Sequence, residues 1–436
     1  AMITDYGDIT DQSFNQTTYE ACKEFCEANS LEFTYFKPAG DSDAERVAMV
    51  DKAVDEGYNV IVIPGYAFAG TVVTAENEYP DATFIALDVA AGDLLGAALG
   101  DAYDYDPSHW DVSKIISKNV YCAVYQEELC GYMAGYAAVK LGYKQLGFLG
   151  GMAVPAVVRY GYGFVQGADA AAVELGLTDV SIKYAYGNQF NGDADITAAM
   201  DTWYGAGTEI VFACGGSIYS SAAEAAAKVN GKIIGVDVDQ KGIIDGQYGE
   251  GMTVTSAMKG LAPTVKDSLQ KVLDGKFQGG IIDTLGLVSE NPEDNYVQIP
   301  MTTQFADGFT ADNYKALVAD MFAGKTVQQA ADMRHAISLL IDRQYIADTI
   351  GQTGQQLADA FVPIGMADGN GGEFHSKSYY DAAATGAGMV DEAKALLEGA
   401  GYTFTDNGDG TYAISPALGF RCSQGRPLLL VHHHAK

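Results

Sequence analysis

Within its first fifteen residues the chain assembles carboxylate, hydroxyl, amide and aromatic groups, in Thr4-Asp5-Tyr6-Gly7-Asp8 and Asp11-Gln12-Ser13-Phe14-Asn15. That mixture suits a flat, polar, uncharged ligand. An aromatic ring offers a stacking face, Asp accepts from ribose-type hydroxyls, and Asn matches both donors and acceptors on a base edge. The same residue types cap helices, so Asp11 and Ser13 read equally well as caps of the helix that follows. Further polar and glycine-rich clusters recur at Pro64-Gly65-Tyr66-Ala67-Phe68, Gly150-Gly151-Met152-Ala153-Val154-Pro155, Cys214-Gly215-Gly216-Ser217-Ile218-Tyr219 and Gly235-Val236-Asp237-Val238-Asp239-Gln240. Glycines there let a ligand approach the backbone. None of these clusters is a Walker loop or a Gly-x-Gly-x-x-Gly dinucleotide fingerprint.

The elements that must hold these clusters alternate. Short β-branched or apolar runs predict strands at Phe33–Phe36, Val60–Ile63, Thr83–Leu87, Leu146–Leu149, Ile182–Tyr186, Ile210–Ala213 and Ile233–Val236, separated by segments of helical period. This is the rhythm of βαβ units with parallel sheets. Ser42 with Glu45 three residues on predicts a capped helix carrying Val47, Val50 and Val54. Two blocks emerge, about 1–120 and 145–240, with the helical segment Glu127–Leu141 between them. An α/β fold of two lobes joined by crossovers follows, and in open α/β sheets ligands bind beyond the carboxyl ends of the strands, where the clusters fall.

Composition narrows the partners. The 436 residues carry 57 acidic and 26 basic side chains, a formal net charge of −31, which repels nucleic acid and anionic membrane. No stretch of eighteen apolar residues occurs, and the chain opens on Ala1-Met2-Ile3-Thr4 without an export signal, so it reads as a soluble, mature form. The six cysteines follow no disulfide framework and leave the compartment open.

Taken in order, Thr4-Asp5, Asp11-x-Ser13-Phe14-Asn15, Phe148-x-Gly150-Gly151-Met152 with Pro155 and Arg159, Gly215-Gly216, Gly235-Val236-Asp237-x-Asp239-Gln240 and Thr255-Ser256-x-x-Lys259 resemble the basic membrane protein family of ABC-importer receptors, whose best-known members bind purine nucleosides. The resemblance covers about residues 1–326. It implies a two-lobed fold like the type I periplasmic binding proteins, an extracytoplasmic location, a lipid anchor absent from this chain, and membrane subunits of an importer as partners. It implies no enzyme activity, cofactor or metal. Phe14 is then the ring on one face of the base, Asp5 and Asn15 are polar contacts from the first lobe, and Asp237 and Lys259 hold the ribose hydroxyls from the second. Ser13 and Tyr66 join the expected site. Lys259 is also placed to neutralise Asp237 as a purely structural pair. The turn after Gly215-Gly216 is shorter than in many members, which makes Tyr219 the candidate for the second ring, and Ala153 stands where relatives often carry an acid.

From about Val327 to Pro416 the chain resembles instead a fragment of the peptide-binding ABC-importer receptors, through Met333-Arg334-His335-Ala336-Ile337, Ile341-Asp342-Arg343, Asp391-Glu392-Ala393-Lys394-x-Leu396-Leu397 and Ala400-Gly401-Tyr402. Helices are predicted over Met333–Ile350 and Met389–Leu397. Asn407-Gly408-Asp409-Gly410 predicts a hairpin between 402–404 and 411–414, and residues 417–436 read as a vector-derived or disordered tail.

Other chemistries compete. The fold leaves the cleft's contents open, so a flavin, a sugar or a modified nucleoside is an alternative ligand. Asp5, Asp11, Asp237 and Asp239 form conceivable paired carboxylates for nucleoside hydrolysis, and Asp5-x-x-Asp8-x-x-Asp11 has the oxygen ligands of a hard-cation site or the make-up of a solvated capping loop. Cys22 and Cys26 share a helix face and read as packed thiols, and Trp110 and Trp203 as packing residues.

Overall fold

The computed structural model describes residues 1–323, 389–399, 403–406 and 412–415. The chain divides into a unit of residues 1–319 and a unit of residues 320–436. In the first, two sheets form from β1 (Met2–Ile3), β2 (Tyr35–Phe36), β3 (Val60–Pro64), β4 (Thr83–Leu87), β5 (Val120–Tyr125), β6 (Gln145–Gly150), β7 (Ser181–Tyr186), β8 (Ile210–Cys214), β9 (Lys232–Asp237), β10 (Thr253–Lys259), β11 (Ile281–Leu285) and β12 (Val297–Gln298). The first sheet has the order β11-β5-β4-β3-β1-β2 and the second β12-β10-β9-β8-β6-β7. Every neighbouring pair is parallel except β10 with β12.

The helices follow the strands: α1 (Phe14–Ala28), α2 (Asp43–Asp55), α3 (Ala69–Glu78), α4 (Ala91–Leu99), α5 (Glu127–Lys140), α6 (Pro155–Glu174), α7 (Ala194–Gly205), α8 (Tyr219–Ala227), α9 (Lys241–Tyr248), α10 (Leu261–Leu273) and α11 (Ala311–Phe322). Their starts obey local chemistry. Ser42 caps α2, accepting from Glu45 N–H at 3.3 Å while its own hydroxyl donates to the Glu45 carboxylate at 2.9 Å. Asp193 caps α7 by accepting from Ile196 N–H at 2.7 Å.

All seven predicted strands form, although the run at 33–36 pairs only at Tyr35 and Phe36. The second lobe extends past residue 240, because β10 joins its sheet, and β11 then returns to the first sheet beside β5. The chain therefore crosses between lobes three times, through α5, through α10 and between β11 and β12. Each sheet buries its own core: Ile61, Ile63, Phe68, Phe84 and Val120 in the first lobe, Leu149, Met200, Val211, Ile218 and Ile233 in the second. Each such side chain contributes about 1.5–3 kcal/mol through burial.

The crossover helix α5 lies unusually close to α6. A Cβ added at Gly131, Gly135, Gly163 or Gly167 would stand 1.9–2.3 Å from a carbonyl oxygen of the facing helix. Small residues permit this approach, which fixes Glu127 and Arg159 near the helices' N-terminal ends.

In the second unit, α12 (Val390–Gly399) matches the helix predicted there, and β13 (Thr403–Asp406) pairs antiparallel with β14 (Tyr412–Ser415), with Thr403 opposite Ser415. The strands of the predicted hairpin form, and its turn residues, the helix expected over 333–350 and the tail lie outside the described residues.

Candidate functional site

The carboxyl ends of both sheets face one cleft, lined among others by Asp5, Phe14, Asn15, Tyr66, Asp237 and Lys259. At the start of α1, Asp11 accepts from the backbone N–H groups of Ser13, Asn15 and Gln16 at 2.9, 2.9 and 3.0 Å. Asp11 is thus the cap, and burial pushes its carboxyl up against these three bonds. Ser13, relieved of capping, donates its hydroxyl to Asp237 Oδ2 at 2.6 Å, tying the first lobe to the second. Asp11 takes the capping role, while Ser13 is fully buried, does not line the cleft and meets Asp237 instead.

Asp5, beyond β1, accepts from Tyr6 N–H and Gly7 N–H at 2.7 and 2.6 Å, while burial raises its pKa. Its other oxygen lies against Gly65, whose φ of +124° and lack of Cβ admit it: a Cβ there would be 3.0 Å from Asp5 Oδ2. Asn15 donates to Asp11 at 3.3 Å, and its buried Oδ1 has no partner from the protein.

Lys259, at the end of β10, is the charge at the centre of the cleft. Its Nζ lies 2.5 Å from Asp88 Oδ2, 3.5 Å from Glu127 Oε1 and 3.7 Å from Asp237 Oδ1. It also sits 4.6, 5.5 and 5.7 Å from the ring centres of Phe14, Tyr125 and Tyr160. Burial alone would lower the ammonium's pKa, but the charges of Asp88, Asp237 and Glu127 outweigh it and hold the group above its usual value. Conversely burial pushes the Asp237 and Glu127 carboxyls up, and Lys259 opposes that rise. Glu127 also accepts from Arg159 Nε at 2.6 Å. The expected Lys259–Asp237 pair is present, yet Asp88 is the nearer partner. Asp88 Oδ1 is buried without a protein partner.

Tyr219 is elsewhere. It is the first residue of α8, is 4% exposed, and packs into the second lobe's core beside Ile218 and Ala222. It does not line the cleft, which corrects the expectation of a second ring there. The second lobe presents Tyr160 and Phe190 to the cleft instead, and Phe190, after β7, lies against the backbone of Gly151 and Gly215: a Cβ at those positions would meet it at 2.4 and 2.9 Å. Those glycines admit a side chain of the protein itself.

Asp88, Glu127, Tyr160 and Phe190 escaped the sequence reading. Asp88 had a signal, since Leu87-Asp88-Val89 after one strand echoes Val236-Asp237-Val238 after another. Glu127 and Tyr160 lie inside helices and Phe190 in a loop without a motif. The Asp5, Asp8 and Asp11 carboxylates do not converge, because Asp8 is exposed and paired with Lys37 at 2.9 Å while the other two bind backbone. No group of three or more His, Cys, Asp or Glu among the described residues is arranged to hold a metal. Cys22 is buried and its thiol is pushed up to about 12 by that burial.

Comparison with known proteins places this geometry. The chain is 26% identical over 306 residues to the ABC transporter nucleoside-binding protein BmpA of Lactococcus lactis subsp. cremoris, covering 66% of this chain and 78% of that protein. It is 27% identical over 299 residues to basic membrane protein B of Borreliella afzelii, covering 66% and 77%. The fold matches solved ABC transporter solute-binding proteins from Aeropyrum pernix, with a TM-score of 0.55 at 19% identity over 77% of this chain and 90% of that one, and from Conexibacter woesei, with 0.53 at 19% over 74% and 96%. No helix among the described residues is long and apolar enough to cross a membrane. The family model for PnrA-like ABC transporter substrate-binding proteins matches residues 1–300, and the chain belongs to this Bmp family.

Proposed function

We propose that the protein binds a purine nucleoside between its lobes and delivers it to the membrane subunits of an ABC importer, held outside the cytoplasmic membrane by an N-terminal lipid. The observation carrying this reading is that one cleft joins two rings from opposite lobes, Phe14 and Phe190, to the buried cluster of Asp88, Asp237 and Lys259. Rings suit a base and carboxylates suit ribose hydroxyls, and charge-assisted bonds strengthen in a closed cleft. The free acceptors Asn15 Oδ1 and Asp88 Oδ1 call for donors on the ligand. In this reading Asp5, Asn15 and Tyr66 complete the first lobe's contacts, and Ser13 holds Asp237 in place. The Lactococcus relative named for nucleoside binding supports the ligand class, and relatives in Pyrococcus named as lipoproteins support the anchor.

Calorimetric titration of unfolded and refolded protein with adenosine, guanosine, inosine, uridine and riboflavin tests the reading. Tight binding of a purine nucleoside without release of free base is the expected result. Silence toward the purine nucleosides, or free base released from inosine, overturns it.

A further inference from the structure

Two tyrosine hydroxyls of the first lobe converge on one sulfur of the second. Met152, in the turn between β6 and α6, has its Sδ 3.5 Å from the Tyr6 hydroxyl and 3.9 Å from that of Tyr66. Tyr6 follows β1 and Tyr66 follows β3, so three turns from two sheets meet at this atom. All three residues are half-buried, and both tyrosines line the cleft. Of the other bonds joining the lobes here, Ser13 to Asp237 and Lys259 to Asp88 engage carboxylates proposed to bind ligand, and Gln240 donates to the Gln12 carbonyl at 3.2 Å. The thioether is different: it is a weak acceptor on a flexible, unbranched chain that tolerates shifts of its partners. Such a contact forms when the lobes close and breaks at little cost when they reopen.

We propose that Met152, gripped by Tyr6 and Tyr66, is the closing latch of the cleft and sets how long ligand stays bound. The latch's effect on a nucleoside rests on the function proposed above, but the latch itself joins the lobes without ligand. Contacts formed late in closure act on dissociation more than association.

The test uses the full chain with Tyr6→Phe, Tyr66→Phe, Met152→Leu and their combinations. Stopped-flow measurement with the purine nucleoside that titrates should show dissociation faster by about three-fold for each Phe variant and about ten-fold for the pair, the scale of weak sulfur contacts. In a Met152→Leu background the Phe effects should vanish, as a double-mutant cycle requires of directly coupled groups. Unchanged dissociation, or Phe effects that persist in full without the thioether, overturns the latch. A second arm needs no ligand: energy transfer between dyes placed through unnatural amino acids at exposed Asn77 and Glu224 should report a smaller closed fraction in the double Phe variant. No change there also overturns the latch, whereas a change accompanied by no nucleoside binding overturns the ligand reading alone.

Discussion

The two lobes build the same turns from different residues. An aspartate with left-handed backbone stands directly after β4 and at the last position of β9, Asp88 at φ +59° and Asp237 at φ +64°, and both carboxylates reach Lys259. Aspartate tolerates that conformation better than most side chains. β3 and β8 are both followed by a glycine of positive φ, Gly65 and Gly215, and then by a single 3-10 turn. Beyond this point the copies diverge. Tyr66 follows Gly65 and faces the cleft, whereas Gly216 follows Gly215, so the second lobe has no side chain there and Phe190 faces the cleft from another loop. By the same count Tyr219 corresponds to Ala69, the first residue of α3, which is buried in its own lobe's core. Equivalent turns thus fix where a side chain is presented, and the residue at each step decides whether the cleft or the core receives it.

That comparison can be broken at its centre. Lys259→Met removes the cation that pairs with both aspartates and leaves buried carboxylates uncompensated, which should cost about 3–5 kcal/mol of stability by chemical denaturation at pH 7. The loss should depend on pH with a defined sign. Asp237 and Glu127 already have pKa values raised above 3.8 and 4.5 by burial, so their folded forms favour the proton; their contribution to stability is full below those values and is lost as pH rises through the raised ones. Without Lys259 the carboxyls rise further. The gap between variant and parent should therefore widen from pH 4 to pH 7, and a constant gap would deny the network.

Asp237→Ala should weaken ligand binding by about 1.5–3 kcal/mol in calorimetry while the protein stays folded. Asp88→Ala should lie in the same range if the two turns are functional equivalents, and a neutral result would make Asp88 only a partner for Lys259. Gly215→Ala tests the glycine turn: φ of +154° and a Cβ 2.9 Å from Phe190 should destabilise by about 1–3 kcal/mol and weaken binding by displacing the ring. The smallest effect is expected at Tyr219→Phe, with affinity unchanged within about 0.5 kcal/mol, as for changes away from a site. A loss of affinity there would restore Tyr219 as a ligand contact.

Much of the first lobe's share of the cleft was legible. Asp5 follows β1 and Phe14 and Asn15 open α1 only a few residues on, so sequence proximity already places them together, and all three line the cleft. The sheets were legible for a related reason, since parallel strands buried on both faces read as continuous apolar runs. β5, β10, β11 and β12 were not predicted: Val120–Tyr125 is apolar but falls at the edge between the two blocks, and polar or short segments such as Thr253–Lys259 lack that run. The Asp11 and Ser13 ambiguity was irreducible locally: either side chain has the chemistry to cap α1, and only the approach of Asp237 from 224 residues away gives Ser13 another acceptor.

Local patterning therefore sufficed for the α/β class, the strand-end turns and the polar character of the cleft, because period, turn residues and caps are set within a few residues. Tertiary structure alone decided that Lys259 answers to Asp88, Glu127 and Asp237 together, that Phe190 rather than Tyr219 faces the cleft, and that Met152 meets two tyrosines. Those relations depend on distances between segments far apart in the chain, and they arise only when two separately packed sheets bring their strand ends to the same cleft.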